Sequence, residues 1–350
     1  MPSFPYRFPA LLSLLLTVPL WASLNSCNMN PTGLEMDAGW KQRSVAVWRN
    51  SRPDMMALSP TGKWLYISCE TNASMSAPSL VAINMESGRQ HFLLSGLMRA
   101  DALKFAPDGS LWIGEEFPEG LIWRIADVDK LPAEQTVERV SLSTSNDAIA
   151  PYRPAGSFSH EGLAFSQDGQ FAYLADEDSN GSVYRLNLAT RTLSVLDGSM
   201  HWRMVQEPNE ARGMAKQLHA ATFNRPEDME TLPDGRILMA ETNAGRVLVL
   251  TDNGDKASIE TFLKDDRIAH PDNLAWDAKR QLLWITNDDK PSSLWAWDGT
   301  RARRIAMHRQ AEITGVLPVG DNIYINLQSN KSGPEMTVRL FERKEIEPLP

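Results

Sequence analysis

Six times along this chain, a side chain in one fixed register is followed eight residues later by a tight turn. A short apolar strand ending in acidic or amide residues comes next. Asp54 precedes Gly62, Asp101 precedes Gly109, Glu161 precedes Gly169 and Glu227 precedes Gly235. Asp272 and Thr314 hold the same register, with Arg280 and Asn322 at the turn position. Successive register positions lie 47, 60, 66, 45 and 42 residues apart. Repeats of about 40–50 residues with several strands each predict a β-propeller. Six units predict six blades, an all-β single domain over residues 41–350.

Each unit reads as strand, tight turn, strand, looser turn, strand. Asp-Gly pairs end at Gly109, Gly169 and Gly235, where a left-handed glycine matches the twist of the flanking strands. Little 3.6-residue periodicity argues for long helices. Ser44-Val45-Ala46-Val47-Trp48 is a lone strand ahead of the first unit. Pairing it with Thr337-Val338-Arg339-Leu340-Phe341 would close the ring without a free sheet edge. Insertions at 127–156 and 197–221 stretch two units, the second with partly helical character, and lids on one face are one use for them.

The charge excludes one class of partner. The 350 residues carry a net charge of −9, and no basic cluster offsets it, so phosphate neutralisation of nucleic acid is not expected. Residues 1–26 read as an export signal: Arg7 precedes an apolar run from Ala10 to Ala22 that is too short to span a bilayer. Leu24-Asn25-Ser26-Cys27 is similar to a bacterial lipobox, which makes Cys27 the lipidation site and residues 27–40 a linker. The expected location is the cell envelope, anchored at the periplasmic side of the outer membrane. Membrane contact would run through the lipid alone, and the chain would be a monomer. Cys69 is the other cysteine; in the run Trp64–Cys69 it reads as a small buried hydrophobe, or less simply as a metal thiolate.

In a propeller the first strand of each blade borders the axis, so one register becomes one ring. Asp54, Asp101, Glu161, Glu227 and Asp272 would converge there, and repelling carboxylates call for a cation. An oxygen-rich set of this kind suits Ca²⁺. A second tier at the ends of the following strands includes Glu70, Glu115 or Glu116, Glu177 with Asp178, Glu241 with Asn243, and Asn287 with Asp288, with Asn224, Asn273 and Gln328 as neutral oxygens. Glu177, Glu241 and Asn273 complete the expected metal set. His160 and Arg225 stand beside ring carboxylates. Arg225 would clamp an anionic substrate or pair with an acid, and His160 would move a proton or bond a backbone carbonyl.

Phe223-Asn224-Arg225-Pro226-Glu227-Asp228-Met229-Glu230 resembles the RPED signature of the PhoX-type alkaline phosphatases. Ser159-His160-Glu161-Gly162, Ala175-Asp176-Glu177-Asp178 and Gly181-Ser182-Val183-Tyr184-Arg185-Leu186 are similar to a second block of that family. Pro271-Asp272-Asn273-Leu274 and Glu312-Ile313-Thr314-Gly315 with Asn326-Leu327-Gln328 resemble its later blades, so the likeness covers roughly 155–330. It implies a calcium-rich axial cluster that includes iron, an exported phosphomonoesterase activity, and metal-ligand roles for Glu161, Glu227 and Asp272. The cysteine-bearing block for the iron is not recognisable here. The register also resembles the gluconolactonase, regucalcin and paraoxonase propellers, which place Glu, Asn and Asp around one catalytic divalent ion.

Three functions follow as expectations. One is a calcium-dependent phosphoester hydrolase. Another is a single-Ca²⁺ lactonase or esterase with His160 as base, and the third is an envelope propeller whose ion is structural. The substrate would be a small phosphoester or lactone.

Overall fold

The computed structural model describes residues 32–73, 77–126, 128, 149–331 and 333–343. The export signal, Cys27 and most of the 127–156 insertion therefore lie outside the described residues. Six antiparallel sheets form a six-bladed β-propeller. Their innermost strands are Pro53–Leu58, Ala100–Phe105, His160–Phe165, Pro226–Thr231, Pro271–Asp277 and Glu312–Val319. Each neighbours the next around the axis, and the sixth returns to the first.

The ring closes as the repeat predicts. Trp40–Trp48 pairs antiparallel with Glu335–Glu342 as the outer strand of blade 6, so the two ends of the domain share one sheet. The Trp48 indole donates to Thr337 Oγ1 at 2.9 Å across that seam. Glu35–Met36, expected within the linker, instead adds a fifth strand to blade 5 beside Met307 and Ala306. The second insertion supplies Trp202–Met204 as an outer strand of blade 3 and a helix at Ala211–Gln217.

Apolar side chains fill the spaces between successive blades. Phe158, Leu163, Leu174 and Tyr184 pack with Ala102 and Ile122 of blade 2, and Phe158 stacks on Tyr184 with centroids 4.4 Å apart. Fully burying such a side chain contributes roughly 1.5–3 kcal/mol. Turn chemistry follows the repeat in the first four blades, where Gly62, Gly109, Gly169 and Gly235 have φ of 70–87°. In blade 5 the left-handed residue is Gln281 (φ 55°), one place after Arg280, and in blade 6 it is Gly320 (φ 59°), two before Asn322. In blade 6 Val319 pairs directly with Asn322, so the hairpin turns on Gly320 and Asp321 alone and counting eight residues misses its turn.

Candidate metal centre on the propeller axis

Every innermost strand carries a pairing irregularity at the ring position: between Pro53 and Met56, Ala100 and Leu103, His160 and Gly162, Pro226 and Met229, Pro271 and Leu274, and Thr314 and Leu317. Such bulges re-aim a side chain out of the regular pleat. Glycine permits the closest packing beside them, since a Cβ on Gly315 would sit 2.0 Å from the Asp54 carbonyl oxygen. Asp54, Asp101, Glu161, Glu227 and Asp272 are thereby all buried in one electrostatically linked group.

The ring is not symmetric. Carboxylate oxygens of Glu161, Glu227 and Asp272 lie within 4.8 Å of one another, and so do those of Glu116, Glu161 and Glu177. Glu161 belongs to both groups. Asp54 and Asp101 belong to neither, so the structure keeps them at the ring's height without placing them in a tight ligand set. Gln328 Nε2 donates to Asp54 Oδ2 at 2.6 Å, which occupies one of its oxygens.

The second tier forms by a backbone rule that the strand ends alone do not reveal. The amides of Glu70, Glu116, Glu177, Thr242 and Asp288 donate to the carbonyls of Arg52, Arg99, Ser159, Arg225 and His270 at 2.9–3.0 Å. Thr242, not Glu241, therefore holds this position in blade 4. Its hydroxyl bonds Glu227 Oε2 and reaches the Pro271 carbonyl oxygen at 2.6 Å. Glu241 faces away from the axial set, accepting from the Asn224 amide at 2.9 Å and from Arg246 Nε at 2.6 Å. Glu115 behaves alike with the Met98 amide at 2.9 Å, which leaves Glu116 as the second-tier acid of blade 2. Asn273 is adjacent to the ring, but its Oδ1 accepts from the Gly315 amide at 2.6 Å and from Thr286 Oγ1 at 3.3 Å. That oxygen is an inter-blade tie.

His160 is fully buried; Nε2 lies 3.1 Å from the Gly156 carbonyl oxygen, and its ring sits 3.9 Å from Phe158. Burial lowers its pKa to about 3, so it stays neutral. Successive strand residues face opposite sides, and with Glu161 on the axis His160 points into the blade packing. It bonds no ring carboxylate. Cys69 is likewise buried in the apolar packing between blades 1 and 6, where burial pushes its thiol pKa up and disfavours the thiolate an iron ligand requires.

Arg225 is an ion-pair hub. Its Nε donates to Glu177 Oε1 at 2.8 Å and lies 2.7 Å from Glu227 Oε1, while Nη1 donates to Asp288 Oδ2 at 2.6 Å. The Glu227 contact is one of charge without hydrogen-bond geometry, so Glu227 Oε1 keeps its lone pairs free. Two further arginines, which the sequence did not single out, occupy the same place two residues before the ring. Arg52 Nη2 meets Glu70 Oε2 at 2.5 Å, and Arg99 Nη2 meets Glu70 Oε1 and Glu116 Oε1 at 2.6 Å each. Arg52, Arg99 and Arg225 have φ of 44°, 49° and 59°, a shared left-handed backbone and therefore a readable structural repeat.

Electrostatics favour a cation. Among the described residues, five inner carboxylates, four outer ones and Glu312 face these three guanidiniums and the Lys290 ammonium at the mouth. Burial and mutual repulsion raise the pKa of Asp54, Asp101, Glu161 and Asp272 well above the usual carboxylate range. Burial lifts Glu227 to about 8 despite Arg225, Glu116 to about 10 and Glu312 to about 7. Asp101 Oδ1, Glu161 Oε2 and Glu227 Oε1 are buried with no hydrogen-bond partner. Leaving such atoms unmet costs about 1–3 kcal/mol each or more. Hard oxygen donors left unpaired in buried acid triads fit a divalent cation of the calcium or magnesium type.

Below the ring the axis is crossed by Lys104 of blade 2, whose Nζ lies 2.9 Å from Glu230 Oε2 and 3.6 Å from Asp228 Oδ1 of blade 4. Asp228 and Glu230 in turn accept from the Leu274 and Trp276 amides of blade 5. A cavity of 810 Å³ bordered by Trp40, Trp284 and Arg303 lies at the seam of blades 5 and 6, and no ring carboxylate lines it.

Fold and site together define a six-bladed propeller with an axial carboxylate centre. Solved structures that share the fold include a gluconolactonase, a lyase and a sugar dehydrogenase. A gluconolactonase from Xanthomonas campestris superposes with a TM-score of 0.58 at 12% identity, covering 88% of this chain and 91% of its own. Virginiamycin B lyase from Staphylococcus aureus gives 0.54 at 14% identity over 87% of this chain and 100% of its own. The PQQ-bound aldose sugar dehydrogenase of Streptomyces coelicolor gives 0.54 at 15% identity, over 88% and 100%. No protein-family model and no curated protein sequence matches the chain. A hydrolase, a lyase and a dehydrogenase on one scaffold show that the likeness carries the fold alone.

Proposed function

We propose that this propeller is a divalent-cation-dependent hydrolase acting on lactones or related esters. The observation that carries the reading is the set of buried, unpartnered oxygens on Asp101, Glu161 and Glu227 beside the Glu161–Glu227–Asp272 triad. Glu161, Glu227 and Asp272 would hold the ion, with Ca²⁺ the first choice for an all-oxygen set. A bound divalent ion supplies charge stabilisation for a carbonyl oxygen that becomes anionic. Arg225 holds Glu177 and Glu227 in place, and Thr242 orients Glu227 through Oε2. Asp101, on the axis but outside both triads, is the residue we assign to take the proton from the attacking water. His160 has no part in the chemistry. Lys104 ties blade 2 to blade 4 on the other side of the ring, and we assign substrate entry to the side of Arg52, Arg99 and Arg225.

A second reading keeps the PhoX-like resemblance in play. Two triads sharing Glu161 would hold two cations side by side, an arrangement suited to phosphoester cleavage. Arg225, engaged by three carboxylates, would have to release one of them to clamp a phosphate. Export and lipid anchoring at Cys27 belong to the same proposal and place the enzyme in the cell envelope.

The test is a lactone panel and an aryl-phosphate panel, each assayed with calcium and with chelator. Chelator-sensitive lactone hydrolysis is expected, with Asp101→Asn losing turnover while keeping its calcium. Turnover of aryl phosphates with no lactone cleaved would overturn the first reading in favour of the second.

A further inference from the structure

We infer that the cleft between blade 3 and the helix Ala211–Gln217 is a second ligand site, and that its ligand is a small zwitterion of the α-amino-acid type. The inference goes beyond the hydrolase reading and does not depend on it. A cavity of 290 Å³ lies where the turn from Asp176 to Ser182 meets the second insertion. That volume stands at the small end of ligand pockets. The insertion builds the outer wall. Ala211 and Ala215, one helical turn apart, are buried against the blade and hold the helix close to it. Arg212, Lys216 and His219 line the cavity from this side. The Ala221 amide donates to the Leu196 carbonyl oxygen at 2.8 Å, which ties the wall to strand Thr192–Leu196.

Tyr184 lines the cavity from the blade. Its fully buried ring stacks on Phe158, and its hydroxyl is buried with no hydrogen-bond partner among the described residues. Buried tyrosine hydroxyls ordinarily have one. Burial and the neighbouring Asp176 charge hold the phenol above its usual range, so it remains a donor in want of an acceptor. Asp176 does not fill that role. Its carboxylate is taken up by Arg212 Nε at 2.8 Å and Nη2 at 2.5 Å, and by the Ser159 amide at 3.2 Å.

The Asp176–Arg212 pair cancels itself, and two charges remain. Asp178, on the blade wall, accepts from the Asn180 amide at 3.0 Å and from Ser179 Oγ at 3.4 Å, and lies 4.0 Å from Arg212. Lys216, on the helix wall, meets no acceptor among the described residues. The cavity is therefore neutral as a whole, with one acid on the blade and one base on the helix. An anion or a cation alone would meet its own sign on one wall, and a neutral sugar would leave both charges unanswered. A zwitterion answers both: its ammonium donates to Asp178, and its carboxylate accepts from Lys216 and the Tyr184 hydroxyl. Asp176 and Asp178 line the cavity, while Glu177 between them enters the triad with Glu116 and Glu161. The ligand would thus sit one residue from the axial centre without sharing a side chain with it.

A thermal-shift screen of the standard amino acids against the full chain picks the tightest binder. Calorimetry then compares it with its N-acetyl and amide derivatives and with glucose. Each derivative lacks one charge and should bind on the order of tenfold more weakly, with glucose weaker still. Asp178→Asn should bring the free amino acid and its N-acetyl form close to parity, and Lys216→Gln the free amino acid and its amide. Tyr184→Phe keeps the stack on Phe158 and should weaken binding on the order of tenfold with unchanged melting. Glu161→Gln, which disables the axial centre, should leave binding intact. No amino acid bound at millimolar concentration, glucose bound as tightly, or a preference that survives both charge variants overturns the site. Binding lost in Glu161→Gln would put the ligand on the axis and overturn it equally. None of these outcomes depends on whether a lactone is hydrolysed.

Discussion

Two arcs of the same mouth handle buried negative charge in opposite ways. On blades 3 to 5, Glu161, Glu227 and Asp272 crowd within 4.8 Å of one another, with Arg225 as their one guanidinium and oxygens left unpaired. On blades 1 and 2, Asp54 is tied to Gln328, and two arginines share Glu70. The first arc is built to be completed by a cation; in the second the chain itself completes Asp54 and Glu70, while Asp101 keeps one oxygen unpaired. A sixfold repeat thus supplies equal positions, and the side chains that reach each one decide which stay open.

The largest effect should come from the one residue common to both triads. Glu161→Gln removes a ligand charge from each and is expected to lower calcium affinity by on the order of a hundredfold, with activity lost alongside it. Asp54→Asn, in the completed arc, should change affinity by less than about tenfold. Calcium titration by calorimetry with elemental analysis measures both. Equal losses would erase the contrast between the arcs.

Next in size is the arginine that serves the open arc. Arg225→Gln strips Glu177, Glu227 and Asp288 of their counter-charge, and breaking such a partly buried network costs about 2–3 kcal/mol after allowing for its exposed edge. Chemical denaturation of the calcium-free protein should show that loss. Added calcium should recover much of it, since the ion replaces the missing positive charge. A loss unchanged by calcium would mean that Arg225 acts through packing alone.

The axial carboxylates should also govern pH dependence. Burial raises Glu227 to about 8 and Glu312 to about 7, both above their unfolded values near 4.5. The folded state therefore holds more protons than the unfolded one across that window. Stability of the calcium-free protein must fall as pH rises from about 4.5 through about 8, and Glu116, lifted to about 10, carries the fall on to about pH 10. Calcium displaces those protons, so the loaded protein should lose less, and its calcium affinity should weaken as pH falls. Thermal melts across pH, with and without calcium, test the sign directly.

How much of this was legible in the sequence follows from what a register can encode. The eight-residue spacing from Asp54 to Gly62 repeats because the inner hairpin repeats, so fold, ring and closing strand were all readable. Glu241 misled because a strand end does not show which of two adjacent residues turns to the axis; the backbone bond from Thr242 to Arg225 settles that in space. His160 misled because its neighbour faces the axis, and in a strand that sends His160 the other way. Arg52 and Arg99 went unread although they share Arg225's position in the repeat. Their signal lay two places before each ring acid, where left-handed backbone in non-glycine residues is invisible to composition.

The smallest expected effect probes the completed arc itself. Gln328 Nε2 donates to Asp54 Oδ2 at 2.6 Å between blades 6 and 1, and Gln328 is buried. Gln328→Ala leaves that oxygen without its donor, at a cost of about 1–2 kcal/mol in the calcium-free protein. It also frees a fourth unpartnered oxygen on the axis, beside those of Asp101, Glu161 and Glu227. If donors from the chain and cations from solution are two answers to one electrostatic problem, this variant should lose stability without calcium and gain calcium affinity several-fold. Denaturation and calorimetry on the same preparation would show the two changes together. Lost stability with unaltered calcium binding would mean that the arcs are electrostatically independent, and that the open triads alone define the site.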